Sequence, residues 1–165
     1  MRVRLRPARE SDIPVLMRWF QTEDECRAWG GPGFEFPFDR ASFTRDVKWP
    51  QLDSYSLVGP GDELLGFGQF YAKQQRVHLA RVVVGPDFRG KGLGAGLVRR
   101  LLESGKQKLG CSESSLYVME YNLAALSCYR SLGFVPHQQP ENDPVHPGMI
   151  FMVLNGEPEL STPAG

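Results

Sequence analysis

The 165-residue chain is poor in the features that would place it in several large classes. It has 3 cysteines, Cys26, Cys111 and Cys128, and no C-x-x-C, so neither a disulfide framework nor a thiolate zinc site is expected. They read as reduced thiols, from which a cytoplasmic location is expected. No apolar run approaches the roughly 20 residues of a membrane span, and the Arg-rich start has no apolar segment of a signal peptide. Neither sign of charge is in excess, with 19 Lys plus Arg against 19 Asp plus Glu. That argues against nucleic acid and anionic membranes as partners, because no basic surplus is available to neutralise phosphates. No repeat or low-complexity tract interrupts the chain. Its length suits one domain able to bury its own core, expected over 1–154 with a polar, flexible tail over 155–165.

What is present is an alternation of strand and helix patterns. Val3 and Leu5 alternate with arginines up to Pro7, predicting a strand with one wet face. Ser11 or Asp12 is a candidate helix cap, with Pro14 in the first turn and apolar residues at Ile13, Leu16, Met17 and Phe20. Trp29 to Phe38 reads as a structured loop rich in Gly, Pro and aromatics, and a helix follows Asp39 to about Trp49. Strands are expected over Ser54–Val58, Leu64–Tyr71 and Arg76–Val84, then a helix from Gly92 to Lys108, a strand at Leu116–Met119 and a helix from Asn122 to Leu132. Gly110 and Gly133 stop the two helices. Strand patterns at Phe134–Pro136 and Met149–Leu154 close the order, with a loop from Pro140 to Gly148.

The densest chemical signal runs from Val82 to Gly96. A strand ends in a turn carrying Gly85, Gly90, Gly92, Gly94 and Gly96 and enters a helix. Glycines let the backbone approach a ligand closely. The free N–H groups and positive dipole end of the helix start make an anion site suited to phosphate or pyrophosphate, and Arg89 and Lys91 add charge beside it. Gly85, Gly90 and Lys91 fit the spacing of a nucleotide P-loop, but Gly92 stands where the Mg²⁺-binding Ser or Thr belongs. No frame gives the dinucleotide fingerprint G-x-G-x-x-G.

Arg89-Gly90-Lys91-Gly92-Leu93-Gly94 matches the pattern Arg/Gln-x-x-Gly-x-Gly/Ala of the GNAT superfamily of N-acetyltransferases. Asn122 through Ala125 and Tyr129 to Gly133-Phe134 resembles that superfamily's second block, in the same order and at fitting spacing. The resemblance covers nearly the whole chain. It implies an α/β domain with a central mixed, largely antiparallel twisted sheet and helices on both faces. It also implies acetyl-CoA as cosubstrate, no metal, and direct transfer of the acetyl group to a primary amine on a small molecule or a protein. The monomer or a homodimer is the expected state.

By the same resemblance, the pyrophosphate would lie on the amides of Arg89, Gly90, Lys91, Gly92, Leu93 and Gly94. Pantetheine would enter a V between Arg76–Val84 and Leu116–Met119, near the backbone of Val82, Val83 and Val84. Tyr129 is expected to protonate the departing thiolate, and Asn122, two helical turns earlier, to bind the cosubstrate or cap its helix. His78 stands where many relatives carry a basic Glu, and Glu120 is a second candidate base. Trp29, Phe34 and Glu35 are expected to face the acceptor, with Glu23, Asp24 or Glu25 attracting its ammonium. The alternative is a domain of the same fold that binds acyl-CoA without turnover.

Overall fold

Strand β1 (Arg4–Pro7) carries the first alternation and pairs antiparallel with β2 (Asp53–Val58). The computed structural model describes residues 2–144 and 146–159. Of the expected tail, residues 160–165 lie outside that range. Its nearer part is tied to the fold rather than loose: Asn155 is paired with Glu113 in the sheet, Glu159 N–H donates to the Leu132 carbonyl, and Lys106 Nζ contacts both the Gly156 carbonyl and the Glu157 carboxylate.

Between β1 and β2 stand three short helices, α1 (Ile13–Met17), α2 (Glu23–Gly30) and α3 (Arg40–Asp46). The sequence reading has no helix at α2 and places Trp29 and Gly30 in a loop. Thr22 caps α2 by accepting from the Glu25 N–H at 3.1 Å, and Glu23, Asp24 and Glu25 favour its positive end. Thr22-x-x-Glu25 is the capping-box pattern that would have found it. Helix α3 follows Asp39 as expected but ends at Asp46 rather than near Trp49, and Asp39 caps it by accepting from Ser42 N–H at 2.8 Å.

Strands β3 (Leu64–Lys73) and β4 (Arg76–Val84) form a hairpin through Gln74 and Gln75, both at positive φ. Helix α4 (Leu93–Leu109) buries Leu97, Val98, Leu101 and Leu102 against the sheet. It packs so near that a Cβ added at Gly68 on β3 would lie 2.5 Å from Leu101. Strand β5 (Glu113–Met119), helix α5 (Leu123–Leu132), the two-residue strand β6 (Val135–Pro136) and β7 (Met149–Asn155) complete the order.

Among the described residues the seven strands form one open sheet, ordered β1-β2-β3-β4-β5-β7-β6. Every pairing is antiparallel except β4 with β5. One buried cluster joins α4 and α5 to the sheet through Leu101, Leu126 and Phe134. Another joins α1 to α3 to it through Leu16, Phe43 and Phe67. The mixed, largely antiparallel sheet therefore has a helical layer against each of two cores, in keeping with the expected class.

The first helical segment differs from expectation in one residue with energetic weight. Asp12 stands at the N-cap of α1 without a side-chain bond into that helix, and its carboxylate instead closes a capping box on the preceding 3₁₀ turn, Glu10–Asp12. Its carboxylate takes a two-pronged contact from Arg6, Nη1 at 2.8 Å and Nη2 at 2.9 Å, and accepts from Ser56 Oγ and the Arg9 N–H at 2.8 Å each. Arg6 and Asp12 are 7% and 5% exposed. Burial works to raise the Asp12 pKa, but these hydrogen bonds and the guanidinium outweigh it and hold the carboxyl below its ordinary value.

Candidate active site

Among the described residues the only parallel pairing begins at Arg76 with Glu113 and ends at His78 with Ser115. Beyond it both strands continue, β4 to Val84 and β5 to Met119, without pairing to each other. A V-shaped opening results, with Leu79–Val84 on one arm and Leu116–Met119 on the other. It forms a cleft of about 1320 Å³ that also reaches Asn122, Tyr129 and Arg89. A bulge on β4 marks the divergence. Gln69 opposes Ala80 and Phe67 opposes Val83, so Arg81 and Val82 together face Gly68. Such an extra residue bends its strand and increases the local twist.

At the mouth of the V, α4 begins with Gly92 at φ 76 and has no side-chain cap. Gly90 takes φ 78, and a Cβ at either glycine would meet nothing within 4 Å. No backbone acceptor among the described turn and loop contacts takes the N–H groups from Gly90 to Gly94. A helix start with free amides and open space before it is an anion cradle. The Arg89 side chain folds back onto the end of β4 and donates to the Val84 carbonyl at 3.1 Å.

Helix α5 brings Asn122 and Tyr129 to the same cleft. Asn122 caps α5, its Oδ1 accepting from Ala125 N–H at 3.2 Å, which leaves its amide NH₂ free. The Tyr129 ring packs edge-on against Phe134 at 5.9 Å, and its hydroxyl makes no hydrogen bond among the described residues. Burial raises the phenol pKa, with the neighbouring Cys128 adding to it, so the group stays protonated at neutral pH. Burial likewise raises the Cys128 thiol, which disfavours the thiolate needed for a covalent acyl-cysteine.

His78 sits at the apex, 4% exposed, with Nδ1 hydrogen-bonded to Ser115 Oγ at 2.8 Å. Tyr71 and Tyr117 pack on it at 5.1 and 5.7 Å. Burial pushes its pKa down to about 4, helped by the Lys73 cation and opposed by Asp143. The expected role as a base meets this setting badly. An imidazole near 4 is roughly 300 times weaker a base than an ordinary one near 6.5.

The depressed value has a measurable consequence for stability. Between the unfolded value near 6.5 and about 4 the unfolded chain binds the proton and the native chain does not. Stability is therefore full above pH 6.5 and falls as the pH drops towards 4. His78→Gln is expected to remove roughly 3 kcal/mol of the stability lost between pH 7 and pH 4. Urea unfolding at the two pH values measures it, and an equal loss in wild type and variant would contradict the buried neutral imidazole.

Around the apex stand residues that sequence reasoning did not single out. Lys73 Nζ contacts Asp143 at 2.7 Å, and the Tyr117 hydroxyl donates to the same carboxylate. Asp143 comes from the loop before β7, where no periodicity or motif marks it. Arg81 carried a signal, since it is the charged residue within the apolar run Leu79 to Val84. Of the expected acceptor residues, Trp29 and Phe34 line the cleft but belong to the aromatic core. Trp29 stacks on Phe20 at 4.3 Å, and Phe34 is 2% exposed. Glu35 faces Arg45, 3.5 Å away, rather than the cleft. Glu25 lines the cleft, whereas Glu23 pairs with Arg27. No group of three or more His, Cys, Asp or Glu suited to a metal occurs among the described residues, and no helix there is long and apolar enough to cross a membrane.

Known proteins resemble this chain in sequence and in fold. The mouse thialysine N-epsilon-acetyltransferase is 29% identical over 150 residues, 79% of this chain and 82% of that one. The bovine protein of the same name is 30% identical over 86 residues, 47% of this chain and 50% of that one. Among solved structures, the spermidine N-acetyltransferase of Vibrio cholerae, in complex with CoA and spermine, superposes with a TM-score of 0.71 at 16% identity, covering 93% and 95% of the two chains. The PaiA N-acetyltransferase of Thermoplasma acidophilum, in complex with coenzyme A, gives 0.70 at 17%, covering 94% and 99%. At these identities the structures speak for the fold. Residues 17–134, which include both motif blocks and most of the residues lining the cleft, match the Acetyltransferase (GNAT) family. The chain belongs to that family and is an N-acetyltransferase.

Proposed function

We propose that the cleft binds acetyl-CoA and transfers its acetyl group directly to a primary amine. The observation that carries the reading is the parting of β4 from β5 beside an uncapped helix start. The amides from Arg89 to Gly94 hold the pyrophosphate, with Arg89 and Lys91 adding charge. Charge-assisted bonds of this kind contribute about 1.5–3 kcal/mol each. The unpaired edge of β4 at Val82, Val83 and Val84 offers hydrogen bonds to the pantetheine amides, and Asn122 donates from its free NH₂. Acetyl-CoA supplies an activated thioester.

The remaining work falls to this chain. The acceptor nitrogen forms the new C–N bond as the C–S bond breaks, the Tyr129 hydroxyl gives its proton to the leaving sulfur, and the N–H proton shed as the amide forms restores that hydroxyl, directly or through solvent. The ammonium proton of the acceptor goes to solvent before attack, because His78 is too weak a base to hold it. His78 instead fixes the apex of the V through Ser115 and its stacked rings. Relatives named for thialysine and spermidine N-acetylation support an amine as acceptor.

Calorimetric titration with CoA, followed by thiol release from acetyl-CoA over an amine panel, tests the reading. Gly92→Ala places a Cβ in the cradle at φ 76. It is expected to weaken CoA about 10-fold, from the strain of roughly 1–2 kcal/mol and the obstruction together. Unchanged CoA binding, or tight Mg-ATP binding instead, would overturn the assignment. CoA binding without turnover of any amine would favour the non-catalytic alternative.

A further inference from the structure

At the bulge of β4, Arg81 takes φ 48, a left-handed backbone that costs a non-glycine residue on the order of 1 kcal/mol. Its guanidinium is gripped from behind. Nη1 donates to Gln69 Oε1 at 3.0 Å. Gln69, fully buried, is itself anchored by donating to the Val47 carbonyl at 2.6 Å and to Ser54 Oγ at 2.9 Å. The buried Nε has no partner, and Nη2 makes no hydrogen bond among the described residues. Arginine stays charged throughout, so the remaining donors of its planar fork call for an acceptor.

The acids in the cleft do not supply it. Asp46 accepts from Arg45 Nε and the Glu35 N–H at 2.9 Å each and forms no ion pair with Arg81. Asp143 is engaged by Lys73 and Tyr117. Setting these neutralised pairs aside, the acceptor side of the cleft keeps Arg81 and Lys48 as cations and Glu25 as an acid, none of them ion-paired among the described residues. That pattern suits a zwitterionic molecule better than a polycation.

We propose that the acceptor bears a carboxylate as well as the amine to be acetylated, and that Arg81 is the group that receives it. The acceptor class is then a diamino acid, with the α-carboxylate on Arg81 and the side-chain amine at the thioester. This rests on the reading of the cleft as an acetyltransferase site and deepens it.

Matched pairs separate the two. Lysine and ornithine are compared with 1,5-diaminopentane and 1,4-diaminobutane, which keep the reacting amine and lack the carboxylate. Wild-type kcat/KM is expected to be about 10- to 100-fold higher for the better amino acid than for its diamine, the worth of one charge-assisted contact. Arg81→Gln should collapse that preference through KM for the amino acid without changing KM for acetyl-CoA, and Arg81→Lys should restore part of it. Diamines used as well as or better than the amino acids would overturn the proposal while leaving the enzyme reading intact. Equal losses on both members of a pair in Arg81→Gln would also overturn it, leaving Arg81 a structural part of the bulge. Absence of thiol release with every amine would sink both. The wild-type ratio decides even if a variant fails to fold.

Discussion

Tyr129→Phe is expected to lower kcat about 100-fold while KM for acetyl-CoA stays within about 3-fold, since general acid catalysis contributes at least about two powers of ten. The substitution removes one oxygen and keeps the ring that packs on Phe134. That oxygen has no hydrogen bond among the described residues, so its loss breaks none of those contacts. In the cleft it is a protonated donor held by burial well above neutral pH. A thiolate leaving without a proton or hydrogen bond raises the barrier, and this is the term the hydroxyl removes. Steady-state thiol release at saturating amine measures kcat, and thermal unfolding checks that the fold is kept. A turnover equal to wild type would remove Tyr129 from the reaction.

Asp12→Ala should destabilise the fold by about 3–5 kcal/mol, because it strands a buried guanidinium that had a two-pronged partner. Ser56 Oγ and the Arg9 N–H lose their acceptor in the same step. Asp62 contacts Arg6 Nε at 3.0 Å and retains part of the compensation, which sets the lower end of the range. For a chain of this length the loss corresponds to a fall in Tm of roughly 10 °C. Asp12 lies outside the cleft, so CoA affinity measured well below the new Tm should be unchanged. The depressed pKa of Asp12 fixes the pH dependence. Its stabilisation is present above the ordinary carboxylate range and is lost as the pH falls through the lower native value. A loss under about 1 kcal/mol at pH 7 would mean that the pair is not the anchor of β1.

The segments read correctly from the sequence are those whose signals are local. β4 was expected over Arg76–Val84 and spans those residues. Expected boundaries of α4 and α5 lie within a residue of the observed ones, because apolar periodicity, Gly110 and Gly133 all act within a turn or two. The Gly-rich turn falls at the mouth of the V for the same reason. α2 differs from the expected loop because its Trp and Gly content masks a short helix whose capping signal lies in only four residues, Thr22 to Glu25. Asp12 holds the cap position that the sequence offers to Ser11 or Asp12, but its carboxylate is engaged by Arg6, which the alternation of β1 assigns to a wet face.

Composition, periodicity and the two glycine-centred blocks determined by themselves the order of the strands, the helices other than α2, the glycine-rich entry to α4 and the family likeness. Each depends on residues within a few positions of one another, where backbone geometry and solvent exposure follow from side-chain type. Strand register decided the rest. The early end of the β4–β5 pairing opened the cleft, one extra residue on β4 brought Arg81 to it, and burial among Tyr71, Tyr117 and Phe151 stripped the His78 imidazole of its basicity. Those outcomes turn on groups tens of residues apart meeting at hydrogen-bond distance, and only the folded chain brings them together.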